Sequence, residues 1–139
     1  MPLAAAVALI VTTPGCAVRS PARASPAGAS AVVTRTQVGL ASFYGPGFHG
    51  RRTASGQRFD MRALVAAHPT LPFGSRVRVT NLANHRRIVV TIVDRGPTRP
   101  NQAEGVIIDL SRAAAERLRF VNQGRTRVRL EVLKRAPAR

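Results

Sequence analysis

Acidic side chains are scarce in this chain: six, against 22 Lys plus Arg. They are Asp60, Asp94, Glu104, Asp109, Glu116 and Glu131. Glu116, among the arginines of "SRAAAERLRF", reads as a solvated face charge. Glu131 stands in an alternating basic and apolar run, and Glu104, in "RPNQAEG", belongs to a polar loop. Asp94 differs. It ends the apolar β-branched run "IVVTIV" and opens "DRGP". A carboxylate at the end of a buried strand is held rigidly and partly desolvated, which moves its pKa toward a proton donor's range. Two plainer roles compete: a turn residue bonding its own backbone, and an ion pair with Arg95. Asp109, in "IIDLS", is expected to be structural, at the start of a helix. His68, in "VAAHPTLPFG", could orient or protonate a partner carboxylate or bind substrate. A hydrogen-bonded structural histidine before a proline turn fits that sequence equally.

Other chemistries lack their residues. One Cys and three scattered His show no zinc spacing, and no cofactor is expected. There is no G-x-S-x-G and no P-loop. The segment "RRTASGQRFD", Arg51 to Asp60, reads either as a solvated loop or as the rim of a site for a polar polymer. It carries Gln57, an amide that hydrogen-bonds hydroxyls but cannot transfer protons near neutral pH.

The elements that must position these residues are mostly strands. "TQVGLASFYG", "RVRVTNL", "RRIVVTIV", "GVIIDLS" and "TRVRLEVL" each alternate or run apolar. "ANH" is a turn that pairs the second and third of them as a hairpin. "SRAAAERLRF" is a helix with Ser111 as N-cap. "DMRALVAAHP" is expected to hold a short helical turn stopped by Pro69. Short strands, frequent Gly and Pro and little helix indicate a small β-barrel or sandwich.

The formal net charge of +16 draws the chain to anionic surfaces such as nucleic acid, anionic lipid or an acidic wall polymer. Compositional drift is the bland alternative, since Lys134 is the only lysine. No Trp, one Tyr, five Phe and no recognisable module argue against nucleic acid.

"MPLAAAVALIVTTPGC" reads as a signal segment, 1–16, ending at a lipidated Cys16. An ordinary signal peptide, or a tail with a stray Cys, would read similarly. Residues 17–36 are rich in Ala, Ser, Pro and Arg without periodicity, and read as a flexible tether. The folded domain is expected over 37–133, with a frayed tail over 134–139.

The motifs "ASFYG", "FHGRRTASG", "AAHPTLPFG", "VRVTNL" and "DRGP", in this order, resemble the rare lipoprotein A (RlpA-like) lytic transglycosylase family. The similarity runs from Gln37 to Leu133. It implies a mainly β fold: a six-stranded double-psi β-barrel with one or two short helices, shared with expansins and MltA-type transglycosylases. It also implies a substrate, the peptidoglycan glycan strand. A lytic transglycosylase cleaves the MurNAc–GlcNAc β-1,4 bond without water, because the sugar's own C6 hydroxyl attacks and forms a 1,6-anhydro ring. One acid/base group suffices, so the paired carboxylates of hydrolases are not required. By resemblance Asp94 is that group, with His68 and Asp60 orienting it or holding the sugar. Tyr44, Phe48, Thr53, Gln57 and Arg95 would contact substrate, although plain surface charge also accounts for any one arginine. Family members often carry Glu where this chain has Gln57. That departure leaves a second reading, a non-lytic, expansin-like glycan-binding or wall-loosening domain. The chain is expected to be monomeric, to lack the SPOR domain that closes many members, and to act in wall remodelling and daughter-cell separation. The expected location is the envelope, anchored through Cys16 and facing the periplasm in a Gram-negative cell.

Overall fold

A computed structural model describes residues 31–135. Six strands form a closed barrel: β1 (Ala31–Phe43), β2 (Val65–Ala67), β3 (Arg76–Asn81), β4 (Arg87–Asp94), β5 (Val106–Leu110) and β6 (Thr126–Arg135). Their order around the wall is β1-β5-β2-β4-β3-β6. Two pairs are parallel, β1 with β5 and β2 with β4, and the others are antiparallel. The expected double-psi β-barrel is what the chain forms.

The alternation seen in the sequence lines this barrel. Val77 and Val79 of β3, Val90 and Ile92 of β4, Ile108 and Leu110 of β5, and Val128 and Leu130 of β6 are all buried. Each such side chain contributes about 1.5–3 kcal/mol through burial. The hairpin between β3 and β4 forms as expected, with His85 in left-handed backbone at φ 62°. Close packing also needs Gly39: a Cβ there would stand 2.7 Å from Ile107 Cγ2.

Helix α2 (Arg112–Leu118) follows β5, and the Ser111 hydroxyl caps it by accepting from Ala114 N at 3.3 Å. Its Ala114, Ala115 and Leu118 join the core. Three expectations need correction. "DMRALVAAHP" forms no helix; its Val65–Ala67 is strand β2, because the run is wanted between β4 and β5. The polar stretch "RPNQAEG" is not all loop, since Arg99–Ala103 is helix α1. The first strand starts at Ala31, inside the expected tether, and pairs with β6 as far as Arg135. Residues 31–36 are exposed on both faces, so they carry no alternation to read. Cys16 and the rest of 1–30 lie outside the described residues.

Candidate active site

Strand register builds the site. Ala67 of β2 is paired with Asp94 of β4 on one side and with Asp109 of β5 on the other. Asp109 is paired in turn with Ser42 of β1. Ser42, Asp109, Ala67 and Asp94 thus form one row across four neighbouring strands, and residues in register project to the same face. With strands about 4.8 Å apart, the two aspartate backbones are about 10 Å apart and their side chains share one mouth. The DRGP turn lies over the small Ala67 between them. A Cβ on Gly96 would come within 3.3 Å of Asp109 Oδ2 and 3.4 Å of Ala67 Cβ.

The two carboxyls are held differently. Asp94 Oδ2 accepts from the Tyr44 hydroxyl at 2.8 Å. Its Oδ1 accepts from Ala54 N at 2.9 Å and Arg95 N at 2.8 Å. Burial first, then the Asp94 carboxylate, pushes the Tyr44 hydroxyl far above its ordinary pKa, so it stays a donor. Asp109 accepts a close hydrogen bond from the Ser42 hydroxyl on Oδ1. Burial raises its pKa above the usual carboxylate value, against the opposing pull of Ser42 and Arg125, and nearby Asp94 adds to the rise.

Two cavities meet at Asp94. The larger, about 570 Å³, is lined by Ser42, Tyr44, Asp94, Arg99 and Asp109 among others. The smaller, about 210 Å³, is lined by Tyr44, Phe48, Arg51, Arg52, Thr53, Phe59 and Asp94. Tyr44 stacks on Phe59 at 4.5 Å and Phe48 at 5.2 Å, leaving Phe48 44% exposed beside the cavities. An amphipathic aromatic surface flanking a carboxylate can hold a sugar ring by its apolar face.

The segment Arg51–Asp60 folds back on itself: Phe59 N donates to Arg51 O, and Thr53 N to Gln57 O. Buried Thr53 also donates its hydroxyl to Gln57 O at 2.8 Å. This lock aims Ala54 N at Asp94. The Gln57 residue is exposed and lines neither cavity. Asp60 is exposed too; its carboxylate accepts from Arg62 N and stands 3.9 Å from His49. His68 is 2% exposed and its ring lines neither cavity. Its Nδ1 accepts from Thr70 N and Leu71 N, and its Nε2 meets Gln37 Oε1 at 3.2 Å. Burial, with Arg35 and Arg95 adding, lowers its pKa to about 4. Arg95 is likewise engaged: Nη1 donates to Leu71 O at 2.7 Å and His68 O at 3.3 Å, and the guanidinium lies 4.1 Å above the Phe73 ring. Of the expected catalytic trio, only Asp94 reaches the cavities.

The family model for lytic transglycolases matches residues 36–130. The chain belongs to the lytic transglycolase family. It is 50% identical over 112 residues to a probable endolytic peptidoglycan transglycosylase RlpA of Synechocystis, covering 81% of this chain and 34% of that one. It is 53% identical over 96 residues to an endolytic peptidoglycan transglycosylase RlpA of Neisseria meningitidis, covering 69% and 38%. The chain spans about a third of the length of these relatives. Among solved structures, a Streptomyces papain inhibitor superposes with TM-score 0.58 at 23% identity, over 73% of this chain and 97% of its own. A Clavibacter michiganensis expansin gives 0.54 at 22%, over 76% and 53%. These two likenesses show the fold alone.

In this member of the family, sequence reasoning missed Asp109 and Ser42. A signal was present: Asp109 is the one polar residue of the strand "VIIDL". A carboxylate inside an apolar strand is costly unless it has work or a partner.

Proposed function

We propose that this barrel is the catalytic unit of an endolytic peptidoglycan lytic transglycosylase. The observation that carries the proposal is the row Ser42–Asp109–Ala67–Asp94, three of whose members are polar side chains lining or bordering one cavity of about 570 Å³. The family and the names of its relatives supply the substrate. We give the acid/base role to Asp109 rather than to the expected Asp94, because both Asp94 oxygens already accept hydrogen bonds while Asp109 Oδ2 faces the cavity and burial raises the Asp109 pKa above the usual carboxylate value. With Oδ1 occupied by Ser42, Asp109 Oδ2 carries the proton and gives it to the glycosidic oxygen leaving C1 of MurNAc. The C1–O4 bond breaks. The C6 hydroxyl of the same sugar closes on C1 and returns its proton to Asp109. No water is consumed, and the group ends as it began. Asp94, oriented by Tyr44, Ala54 and Arg95, stabilises the positive charge developing on the ring.

The test is product mass. Native protein on glycan strands yields 1,6-anhydroMurNAc ends, and Asp109→Asn and Asp94→Asn each lower turnover about a hundredfold or more. The native rate falls as pH rises through the elevated Asp109 pKa, because the acid must be protonated. Strands bound without anhydro ends would overturn the enzyme and support the non-lytic reading.

The same proposal places the barrel at the envelope on a lipid anchor at Cys16, a reading supported by the apolar run before that residue. Fatty-acid labelling should mark the native chain and not Cys16→Ala; an unlabelled native chain removes the anchor.

A further inference from the structure

Among the described residues, one cation lining the larger cavity has no partner. Its charged lining residues are Asp94, Arg95, Arg99 and Asp109. The carboxylates are committed to the chemistry above, and Arg95 is spent on two backbone carbonyls and the Phe73 ring. Arg99 is exposed, and its side chain has no hydrogen-bond or ion-pair partner among the described residues. Thr98 beside it lines the same cavity, and its hydroxyl caps no backbone group. A guanidinium and a hydroxyl, both unspent, thus share a cavity wall with the acid.

We infer that Thr98 and Arg99 form a carboxylate-binding subsite that selects a muramic sugar on the strand being cut. The inference rests on the proposed substrate. The chemistry recognised is a carboxylate carried on the sugar whose C1 reacts. N-acetylmuramic acid bears its lactyl group on O3, on the same ring as C1, so a carboxylate there lies a few bonds from the carbon at which the acid acts. A planar guanidinium takes a carboxylate through two parallel N–H bonds, and a hydroxyl can add a third donor. Two sources offer this group: the free lactyl acid of a peptide-stripped strand, and the acids of an attached stem peptide.

Equilibrium binding of the full chain carrying Asp109→Asn tests the subsite without needing turnover. Three soluble ligands are compared in 0.15 M salt: stripped strands, the same strands with lactyl acids converted to methylamides, and peptide-bearing strands. Arg99→Gln should weaken binding of stripped strands about tenfold, the loss of one charge-assisted pair. Methylamide strands should bind weakly and alike to both proteins. Arg99→Lys should recover part of the affinity, keeping the charge but not the fork. Arg117→Gln makes the same charge change on an exposed α2 residue that lines neither cavity, and should shift binding less than twofold. A loss confined to peptide-bearing strands also supports the subsite and assigns the carboxylate to the stem. Equal affinities for Arg99→Gln and Arg117→Gln on both charged strands overturn it. Absence of anhydro ends in the turnover assay would sink the enzyme and leave this result standing.

Discussion

Tyr44 is the residue through which the two cavities and Asp94 communicate. Its ring lies in both linings, its hydroxyl donates to Asp94 Oδ2, and burial keeps that hydroxyl protonated. Tyr44→Phe keeps the ring and removes the donor. It should lower turnover about tenfold, roughly 1.4 kcal/mol of barrier, with a smaller change in KM. Gln57 makes the contrast. Its backbone carbonyl anchors Thr53, while its side chain lines neither cavity. Gln57→Glu should therefore change turnover by less than about threefold. Steady-state kinetics on strands of one length checks both, and a large gain from Gln57→Glu would mean the loop swings its side chain into the cleft.

At the scale of elements, the shortest strand does the most. β2 has three residues, Val65–Ala67, yet it sets Asp94 and Asp109 on either side of Ala67. The run around it, "LVAAHP", is too short to show period 2 and rich enough in Ala to suggest helix; pairing with β4 and β5 decides for strand. The turn after it is pinned by His68, whose Nδ1 must stay unprotonated to accept from Thr70 N and Leu71 N. The folded pKa of about 4 lies below the ordinary 6.5, so the neutral ring's stabilisation is present above pH 6.5 and is lost as pH falls toward 4. Denaturant melts should lose up to about 3 kcal/mol from this group between those pH values. In His68→Asn that part of the pH slope should vanish; an unchanged slope would mean the ring is not what pins the turn.

For the whole molecule, charge and shape act at different ranges. In the proposed function, a net charge of +16 gathers an anionic polymer from a distance, and the aromatic and hydrogen-bonding cleft holds it once there. Among the described residues the ion pairs are peripheral, such as Arg78 with Glu131 at 3.0 Å and Arg112 with Glu116 at 3.1 Å. The exposed Arg112–Glu116 pair adds about 0–1 kcal/mol, and the part-buried Arg78–Glu131 pair only links β3 to β6 at the outside of the wall, so the barrel stands on its apolar lining. Raising salt from 0.1 to 1 M shortens the screening length from about 10 to 3 Å. Affinity for stripped strands should then fall at least about fivefold while turnover at saturation holds. Salt titration of KM and kcat separates the two, and a collapse of kcat would mean charge acts in the chemistry.

Much of this molecule was legible in one dimension. Alternation and short apolar runs located five of the six strands, because local pattern reports burial, and the Ser111 cap with the helix formers behind it located α2. The apolar strand ending at Asp94 marked that carboxylate for the same reason. Asp60 and His68 could not be sorted from it, since a motif gives order along the chain and not direction into a cleft. Asp109 was visible only as an odd residue in an apolar strand. What made it part of the site was cross-strand register, which sets Ser42, Asp109, Ala67 and Asp94 in one row from segments as much as 67 residues apart. Register comes from closing the barrel, and the same closure partly shields Asp109 from water and raises its pKa. Neither exists until the strands meet.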